Sequence, residues 1–218
     1  MTPQPMTPQP MTPQPTIPPT TTPVMNSTEA LEALIKCSGH QPVVFTTGYT
    51  CRRAYALHDA PNHFYMTGSM GLAGAIGTGL ALADPATPVL VVDGDGSLLM
   101  NPANSLLATA YDVHNLHHVV LDNGRNESTG GQPTVAAGVR FPHLASGLGY
   151  RDARTVNDVH ELAGRLGELT RDGGRGPTFT HCPVTDAGAH PGERVDIPLP
   201  EISQRLADWL AQHRRGRV

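Results

Sequence analysis

The apolar positions of this chain alternate between two patterns, short runs typical of buried strands and longer stretches with helical spacing. The short runs predict strands at residues 43–46, 63–66, 89–93, 118–122 and 178–181. The longer stretches predict helices at residues 69–83, 101–115, 141–148, 158–171 and 198–213. Strands that alternate with helices are typical of a parallel sheet with helices on both faces. The pattern therefore predicts an α/β fold built on a single doubly wound parallel sheet.

The start of the folded domain is marked by a helix signal. Asn26 followed by Glu29 is typical of a capping box, and apolar residues continue at helical spacing until Gly39. Before it, the pentapeptide Met-Thr-Pro-Gln-Pro occurs three times, and the first 25 residues hold nine prolines. Such a segment cannot bury a core. We expect a disordered tail over residues 1–25 and one domain over 26–218.

Composition excludes some classes of partner. The formal net charge of -4 gives no bulk attraction to nucleic acid or to an anionic membrane. No apolar run reaches the roughly 18 residues that a membrane span needs. We expect no secretory leader, because the N-terminus has neither a basic nor an apolar region of that kind. The three cysteines are scattered and form no Cys-x-x-Cys motif. We expect free thiols in a reducing cytoplasm.

Oxygen-bearing residues follow two neighbouring predicted strands. Gly94-Asp95-Gly96-Ser97 follows strand 89–93, and Asp122-Asn123 ends strand 118–122. Either motif alone would be an ordinary turn. Parallel strands need a crossover of a dozen or more residues, and ligands of such sheets bind beyond the carboxyl ends of the strands. We therefore expect Asp95 and Asn123 to lie side by side.

The interval between the two motifs resembles the fingerprint of thiamine diphosphate (ThDP) enzymes, a Gly-Asp-Gly separated by a set interval from an Asn-Asn pair. Mg²⁺ prefers about six oxygen ligands and commonly keeps phosphate oxygens among them. Three more segments, residues 46–52, 64–77 and 128–134, are similar to the ThDP-binding half of phosphonopyruvate and sulfopyruvate decarboxylases. This resemblance spans residues 29–184 and implies the diphosphate-binding type of ThDP fold.

The resemblance also implies roles for single residues. Asp95, the side chain of Asn123 and the main-chain carbonyl of Arg125 would ligate Mg²⁺. Gly68 and Met70 would take part in catalysis, because the Gly68 carbonyl accepts from the amino group of the cofactor and Met70 holds the cofactor bent. The implied cofactor-binding set is Thr47, Gly48, Gly68, Ser69, Met70, Gly94, Asp95, Gly96, Ser97, Asn123 and Arg125.

The chain departs from the family pattern at four positions. Asp122 replaces the first Asn, and its carboxylate would either tighten the metal or repel the diphosphate. Cys51 and Arg53 replace the Ser and Glu of a Ser-Arg-Glu segment, and Leu72 stands where His is common. We expect Arg53 either to pair with a dianionic substrate or to be a solvated surface charge.

The function that the resemblance implies is that of a ThDP- and Mg²⁺-binding β subunit in a split 2-oxo acid decarboxylase. The favoured reaction converts phosphonopyruvate to phosphonoacetaldehyde and CO₂. Sulfopyruvate decarboxylation, carbon–carbon ligation and a non-catalytic scaffold role are the alternatives. Few residues precede the first helix, so a pyrimidine-domain α subunit is expected to supply the activating glutamate in an α₂β₂ or larger assembly. The isolated chain should then be inactive.

Overall fold

The computed structural model describes residues 25–171 and 176–215. Within these ranges there are nine strands, seven of which form one sheet while the other two form a small hairpin. In chain order they are β1 (Met25–Asn26), β2 (Val43–Phe45), β3 (His63–Tyr65), β4 (Val89–Gly94), β5 (Leu116–Asp122), β6 (Arg125–Asn126), β7 (Gln132–Pro133), β8 (Asp152–Thr155) and β9 (Thr178–Thr185). The hairpin pairs β6 with β7. The five predicted strands are thus all present.

Eight α-helices connect or follow these strands in the described ranges. They are α1 (Ser27–Ser38), α2 (Tyr49–Leu57), α3 (Ala73–Ala83), α4 (Asp95–Met100), α5 (Ser105–Ala110), α6 (Phe141–Gly147), α7 (Val159–Arg171) and α8 (Leu199–Arg215). The predicted capping box at the start of α1 is confirmed. The Asn26 side chain accepts from Thr28 N at 2.8 Å, and Glu29 accepts from Asn26 N at 3.2 Å.

Every pairing within the seven-stranded sheet is parallel, with the order β1-β9-β5-β4-β2-β3 and β8 also beside β9. Because the strands are parallel and in register, the segments that leave β2, β4, β5 and β9 all emerge at one edge. Leu121 of β5, for example, stands between Gly94 of β4 and Cys182 of β9. This edge is where the sequence places its oxygen-bearing motifs.

Helices cover both faces of the sheet, as the sequence pattern predicts. One face packs α1 and α7 against the central strands, with Leu31 and Leu162 fully buried. The other face packs α3 and α5, whose apolar residues are mostly alanines. A Cβ at Gly77 would stand 2.1 Å from a methyl of Val91, so Gly77 allows the backbone of α3 to lie close to β4. Among the described residues, no helix is both long and apolar enough to cross a membrane.

Two predicted helices differ from the structure. The predicted helix 101–115 is wrong, because α4 begins at Asp95 and ends before Pro102, and α5 ends at Ala110. Proline lacks the N–H that a continuous helix needs. The predicted helix 69–83 begins only at Ala73, since Ser69 (φ 58°) takes a left-handed conformation in the preceding turn.

The sheet is also larger than predicted. β1 and β8 were not expected, and β9 continues to Thr185, four residues past its predicted end. Met25 pairs with Val184 and is 1% exposed, so the described fold begins one residue before the predicted domain boundary at 26. The remainder of the predicted tail, residues 1–24, lies outside the described residues.

Candidate cofactor and metal site

A cleft opens at the carboxyl edge of the sheet. It is bounded by the segments that follow β2, β4, β5 and β9 and by the start of α1. The predicted site residues that line it are Thr47, Gly48, Met70, Gly94, Asp95, Gly96, Ser97, Asn123 and Arg125. Gly68 and Ser69 do not line this cleft but form the exposed turn just before Met70. The structure therefore brings together nine of the eleven positions named from the sequence.

Asp95 is the buried acid of the cleft. It is the first residue of α4 and is 2% exposed. Burial raises the pKa of its carboxyl to about 6, and the negative charge of Asp122 acts in the same direction, while hydrogen bonds from Thr134 and the backbone oppose the rise. The Thr134 hydroxyl donates to this carboxylate. A carboxylate in this environment is costly to ionise, and a bound cation would remove that cost.

Gly96 allows three side chains to converge beside Asp95. A Cβ at this position would stand 2.6 Å from Asn126 Oδ1, 3.1 Å from Thr134 Cγ2 and 3.4 Å from Met70 Cε. The same geometry shows that the Met70 side chain points into the cleft. Around Gly94, by contrast, none of the described residues other than its chain neighbours has an atom within 4 Å of a built Cβ. The space beside the Gly94 backbone is open to a ligand.

Hydrogen bonds of the Ser97 hydroxyl hold in place the turn that contains Met70. This hydroxyl lies 2.9 Å from Thr46 Oγ1 and accepts from Gly71 N at 3.1 Å. Asn104 Nδ2 also donates to Gly71 O at 2.7 Å. Ser97 is 3% exposed, so its hydroxyl is committed to holding three segments together. Asn104 had no signal in the sequence, since it lies within the stretch predicted as a continuous helix.

Asn123 and Arg125 stand on the turn after β5. The Asn123 Oδ1 atom accepts from Arg125 N at 2.9 Å, and Asn123 Nδ2 donates to the Asp186 carboxylate. The Arg125 side chain is exposed and donates to Gly131 O at 3.2 Å. Its guanidinium therefore points toward the loop 127–131 at the rim.

Arg53 is not a solvated surface charge, so that expectation is wrong, whereas pairing with a dianionic substrate stays a prediction. Its side chain is 7% exposed, and its guanidinium contacts Asp186, Ser27 Oγ at 3.0 Å and Glu127 Oε2 at 3.1 Å. Its Nε also donates to His190 O at 3.2 Å. Asp186 is not among the site residues predicted from the sequence. The available signal was a polar residue directly after a strand, but the predicted strand ended at residue 181.

The Asp122 carboxylate, which departs from the family pattern, has a hydrogen-bond partner outside the cleft. Asp122 Oδ2 lies 2.9 Å from His181 Nε2, and Oδ1 accepts from Gly124 N at 3.0 Å. The His181 ring stacks on Phe141 at 4.6 Å. This carboxylate is thus engaged away from the cleft lining, although its charge still acts on Asp95.

The other two departures carry no ionisable group into the cleft. The Cys51 thiol donates to Gly48 O at 3.3 Å, and burial raises its pKa to about 11. Leu72 precedes α3 and is 39% exposed.

Comparison with known proteins agrees with this geometry. Residues 43–182 match the family described as thiamine pyrophosphate enzyme, C-terminal TPP binding domain; thiamine pyrophosphate is another name for ThDP. The chain is 39% identical over 171 residues to a phosphonopyruvate decarboxylase of Streptomyces hygroscopicus, covering 78% of this chain and 42% of that protein. It is 36% identical over 184 residues to the sulfopyruvate decarboxylase subunit beta of Methanothermobacter thermautotrophicus, covering 84% of this chain and 94% of that subunit.

The solved structures give the same fold at lower identity. Benzoylformate decarboxylase from Polynucleobacter necessarius superposes with a TM-score of 0.62 and 18% identity, covering 82% of this chain and 36% of that one. The chain thus spans less than half the length of the Streptomyces relative and of this structural neighbour. Together, the matched region and these relatives show that the chain belongs to the family of C-terminal thiamine pyrophosphate-binding domains of thiamine pyrophosphate enzymes.

Proposed function

We propose that this chain is the ThDP- and Mg²⁺-binding β subunit of a 2-oxo acid decarboxylase. The observation that carries the proposal is the convergence of Asp95, Asn123 and Met70 in one cleft at the carboxyl edge of the sheet. The match to almost the whole length of a sulfopyruvate decarboxylase β subunit supports the subunit arrangement.

The donors in the cleft fit a magnesium ion. The candidates are the carboxylate of Asp95, the amide oxygen of Asn123 and the main-chain carbonyl of Arg125. All are oxygen donors, which Mg²⁺ prefers, and three protein ligands leave positions for phosphate oxygens and water. The raised pKa of Asp95 supports this assignment, because a divalent cation stabilises the ionised form that the buried site otherwise disfavours.

The cleft also fits the rest of the cofactor. Residues 47–50 line it where α2 begins, and Gly48 (φ 92°) has no side chain to block an anion near the first turn of that helix. Met70 supplies a polarisable surface on which the cofactor rings would rest. When bound, ThDP supplies the electron sink for decarboxylation, and the residues of this chain bind it, orient it and exclude water from one side.

For the substrate we propose phosphonopyruvate, on the strength of the 39% identity to two Streptomyces phosphonopyruvate decarboxylases. Sulfopyruvate is the second candidate, because that β subunit has nearly the length of the matched region. We further propose a cytoplasmic α₂β₂ or larger assembly. In it a pyrimidine-domain α subunit supplies the glutamate that activates the cofactor.

Calorimetry on the purified full chain tests cofactor binding. We expect ThDP to bind in the presence of Mg²⁺ and not in EDTA. We expect Asp95→Ala to lose binding while keeping its circular dichroism spectrum, and Asp208→Ala, which removes an exposed carboxylate on α8, to bind like the parent. If the parent does not bind, or if Asp95→Ala binds equally well, the site assignment is wrong.

Activity is tested with both substrates, with the chain alone and after co-expression with a pyrimidine-domain subunit. We expect CO₂ release only from the pair, and faster with phosphonopyruvate. Robust turnover by the chain alone would overturn the split arrangement, and exclusive turnover of sulfopyruvate would reverse the choice of substrate.

A further inference from the structure

Asp186 lines the same cleft as the candidate metal ligands, and its carboxylate accepts hydrogen bonds from three different side chains. It directly follows β9, and its side chain is 6% exposed. One carboxylate oxygen accepts from the Ser27 hydroxyl and from Arg53 Nη1, and the other accepts from Asn123 Nδ2. One carboxylate thus joins the start of α1, helix α2 and the turn after β5.

The contact with Asn123 fixes which way its amide faces. The Asn123 Nδ2 atom donates to one oxygen of the Asp186 carboxylate, so the NH₂ group of Asn123 is the end that faces Asp186. The amide oxygen is then directed away from Asp186, and it already accepts from Arg125 N at 2.9 Å with one lone pair. Its second lone pair remains for a cation. A flipped amide would place its NH₂ group where a metal ligand is needed.

Asp186 is itself held by Arg53. The guanidinium is clamped between Asp186 and Glu127, and it lies 5.4 Å from the centre of the Tyr49 ring. Because an arginine fork is planar and rigid, it fixes the direction of the carboxylates that it contacts. Arg53 therefore limits the rotation of Asp186, and through it the rotation of Asn123.

We propose that Asp186 is the positioning residue of the metal site, holding the Asn123 amide with its oxygen toward the cation, and that Arg53 locks Asp186 in place. This inference rests on the proposed function. The inference adds to that function two residues that would act through Asn123 and not as metal ligands. The negative charge of Asp186 also polarises the Asn123 amide and makes its oxygen a stronger donor, as carboxylates do for metal-bound histidines.

An exchange of donor and acceptor tests the orientation directly. Asn123→Asp alone would set two carboxylates against each other, whereas combining it with Asp186→Asn restores one donor and one acceptor. We expect Asp186→Asn to weaken Mg²⁺ affinity about 10- to 100-fold, in line with other residues behind metal ligands. We expect Asn123→Asp to weaken it further and the combined variant to recover binding at least tenfold over Asn123→Asp. A role limited to stability would not produce that recovery.

The chain offers a matched control at the opposite edge of the sheet. Asp152 pairs with the buried Arg165, whose side chain is 4% exposed. Asp152→Asn likewise removes the carboxylate charge that pairs with a buried arginine. It should therefore lower the melting temperature without changing Mg²⁺ affinity. Calorimetry with Mg²⁺ titrated into the full chain at saturating ThDP gives the affinities, and circular dichroism gives the melting temperatures.

A measurement on the unaltered chain tests the inference even if the variants fail to fold. In nitrogen-15 spectra, assigned with Asn123→Ala, the side-chain NH₂ of Asn123 should exchange slowly with solvent because Asp186 holds one of its hydrogens. Exchange as fast as in a solvated asparagine would overturn the inference. So would Asp186→Asn binding Mg²⁺ like the parent, or a combined variant no better than Asn123→Asp. If the parent itself fails to bind ThDP with Mg²⁺, the proposed function falls first and this inference with it.

Discussion

Replacing Asp95 by asparagine should stabilise the cofactor-free chain at neutral pH while removing its ability to bind cofactor. The Asp95 carboxyl is almost fully buried, and burial raises its pKa from 3.8 to about 6. The folded chain therefore binds this proton more tightly than the unfolded chain does. Protonated Asp95 contributes its full stability below about pH 4, and that contribution is lost as the pH rises through about 6.

The size of the effect follows from the same values. A rise in pKa from 3.8 to about 6 costs roughly 3 kcal/mol of folding free energy at pH 7, since a tenfold change in proton affinity is worth about 1.4 kcal/mol. Asn keeps the acceptor for the Thr134 hydroxyl but brings a new NH₂ group that needs a partner. We therefore expect Asp95→Asn to gain about 2 kcal/mol at pH 7, or about 4 to 8 °C in melting temperature for a domain of this size.

Thermal unfolding of parent and variant between pH 4 and pH 8 in EDTA measures this difference. The gain should be present at pH 7 and should shrink as the pH falls toward 4, where both side chains are neutral. Adding ThDP and Mg²⁺ at pH 7 should raise the melting temperature of the parent and leave that of the variant unchanged. Asp208→Asn is the control. It replaces an exposed carboxylate that accepts a hydrogen bond from Gln204 at 2.8 Å.

Two outcomes would refute the reasoning. If Asp95→Asn were less stable than the parent at pH 7, burial of the carboxylate would not be the dominant cost. If the gain did not change with pH, it would arise from packing and not from ionisation.

Three further predictions concern glycines and the first residues of the chain. Gly96→Ala should lower the free energy of unfolding by about 1–3 kcal/mol, because its Cβ would stand 2.6 Å from the Asn126 amide oxygen. Gly94→Ala is the control and should melt close to the parent, because no described residue beyond its chain neighbours lies within 4 Å of its Cβ. In α3, Gly77→Ala should destabilise the chain because its Cβ would stand 2.1 Å from a valine methyl; Gly79→Ala, exposed and without neighbours, should stabilise it by about 0.5–1 kcal/mol. Deleting residues 1–24 should leave the melting temperature unchanged within error, and a drop of several degrees would contradict the expectation that this segment adds nothing to the core. Urea or thermal unfolding checks all three.

Sequence alone predicted the parts of this fold that depend on local chemistry. The capping box at Asn26 and Glu29 needs only residues three apart, and the structure has both of its hydrogen bonds. The meeting of Asp95 and Asn123 follows from the parallel arrangement of their strands, since consecutive carboxyl ends share an edge. The first inference succeeds because it needs only neighbouring residues, and the second because alternating strands and helices favour a parallel sheet.

Predictions failed where a residue acts against its usual preference. Pro183 lies inside β9, opposite Asp122, although proline is rare within sheets because it lacks the N–H for a ladder bond. The predicted strand ends at residue 181, before this proline, so the prediction did not place Asp186 directly after a strand. The burial of Arg53 was equally hidden, because its partners come from three other segments that are distant in sequence.

The charges of the cleft explain why the proposed cofactor would need a divalent cation in order to bind. Asp95, Asp186 and Glu127 bring three carboxylates to the cleft, and Arg53 is the buried guanidinium that two of them share. With these groups ionised, the three carboxylates still outnumber the two lining guanidinium groups, Arg53 and Arg125, and the excess negative charge would repel a diphosphate arriving alone. A divalent ion reverses that balance, because it is the largest local charge in such a site and attracts both the carboxylate and the phosphates. Metal and diphosphate should therefore bind cooperatively, each raising the affinity for the other by the same factor.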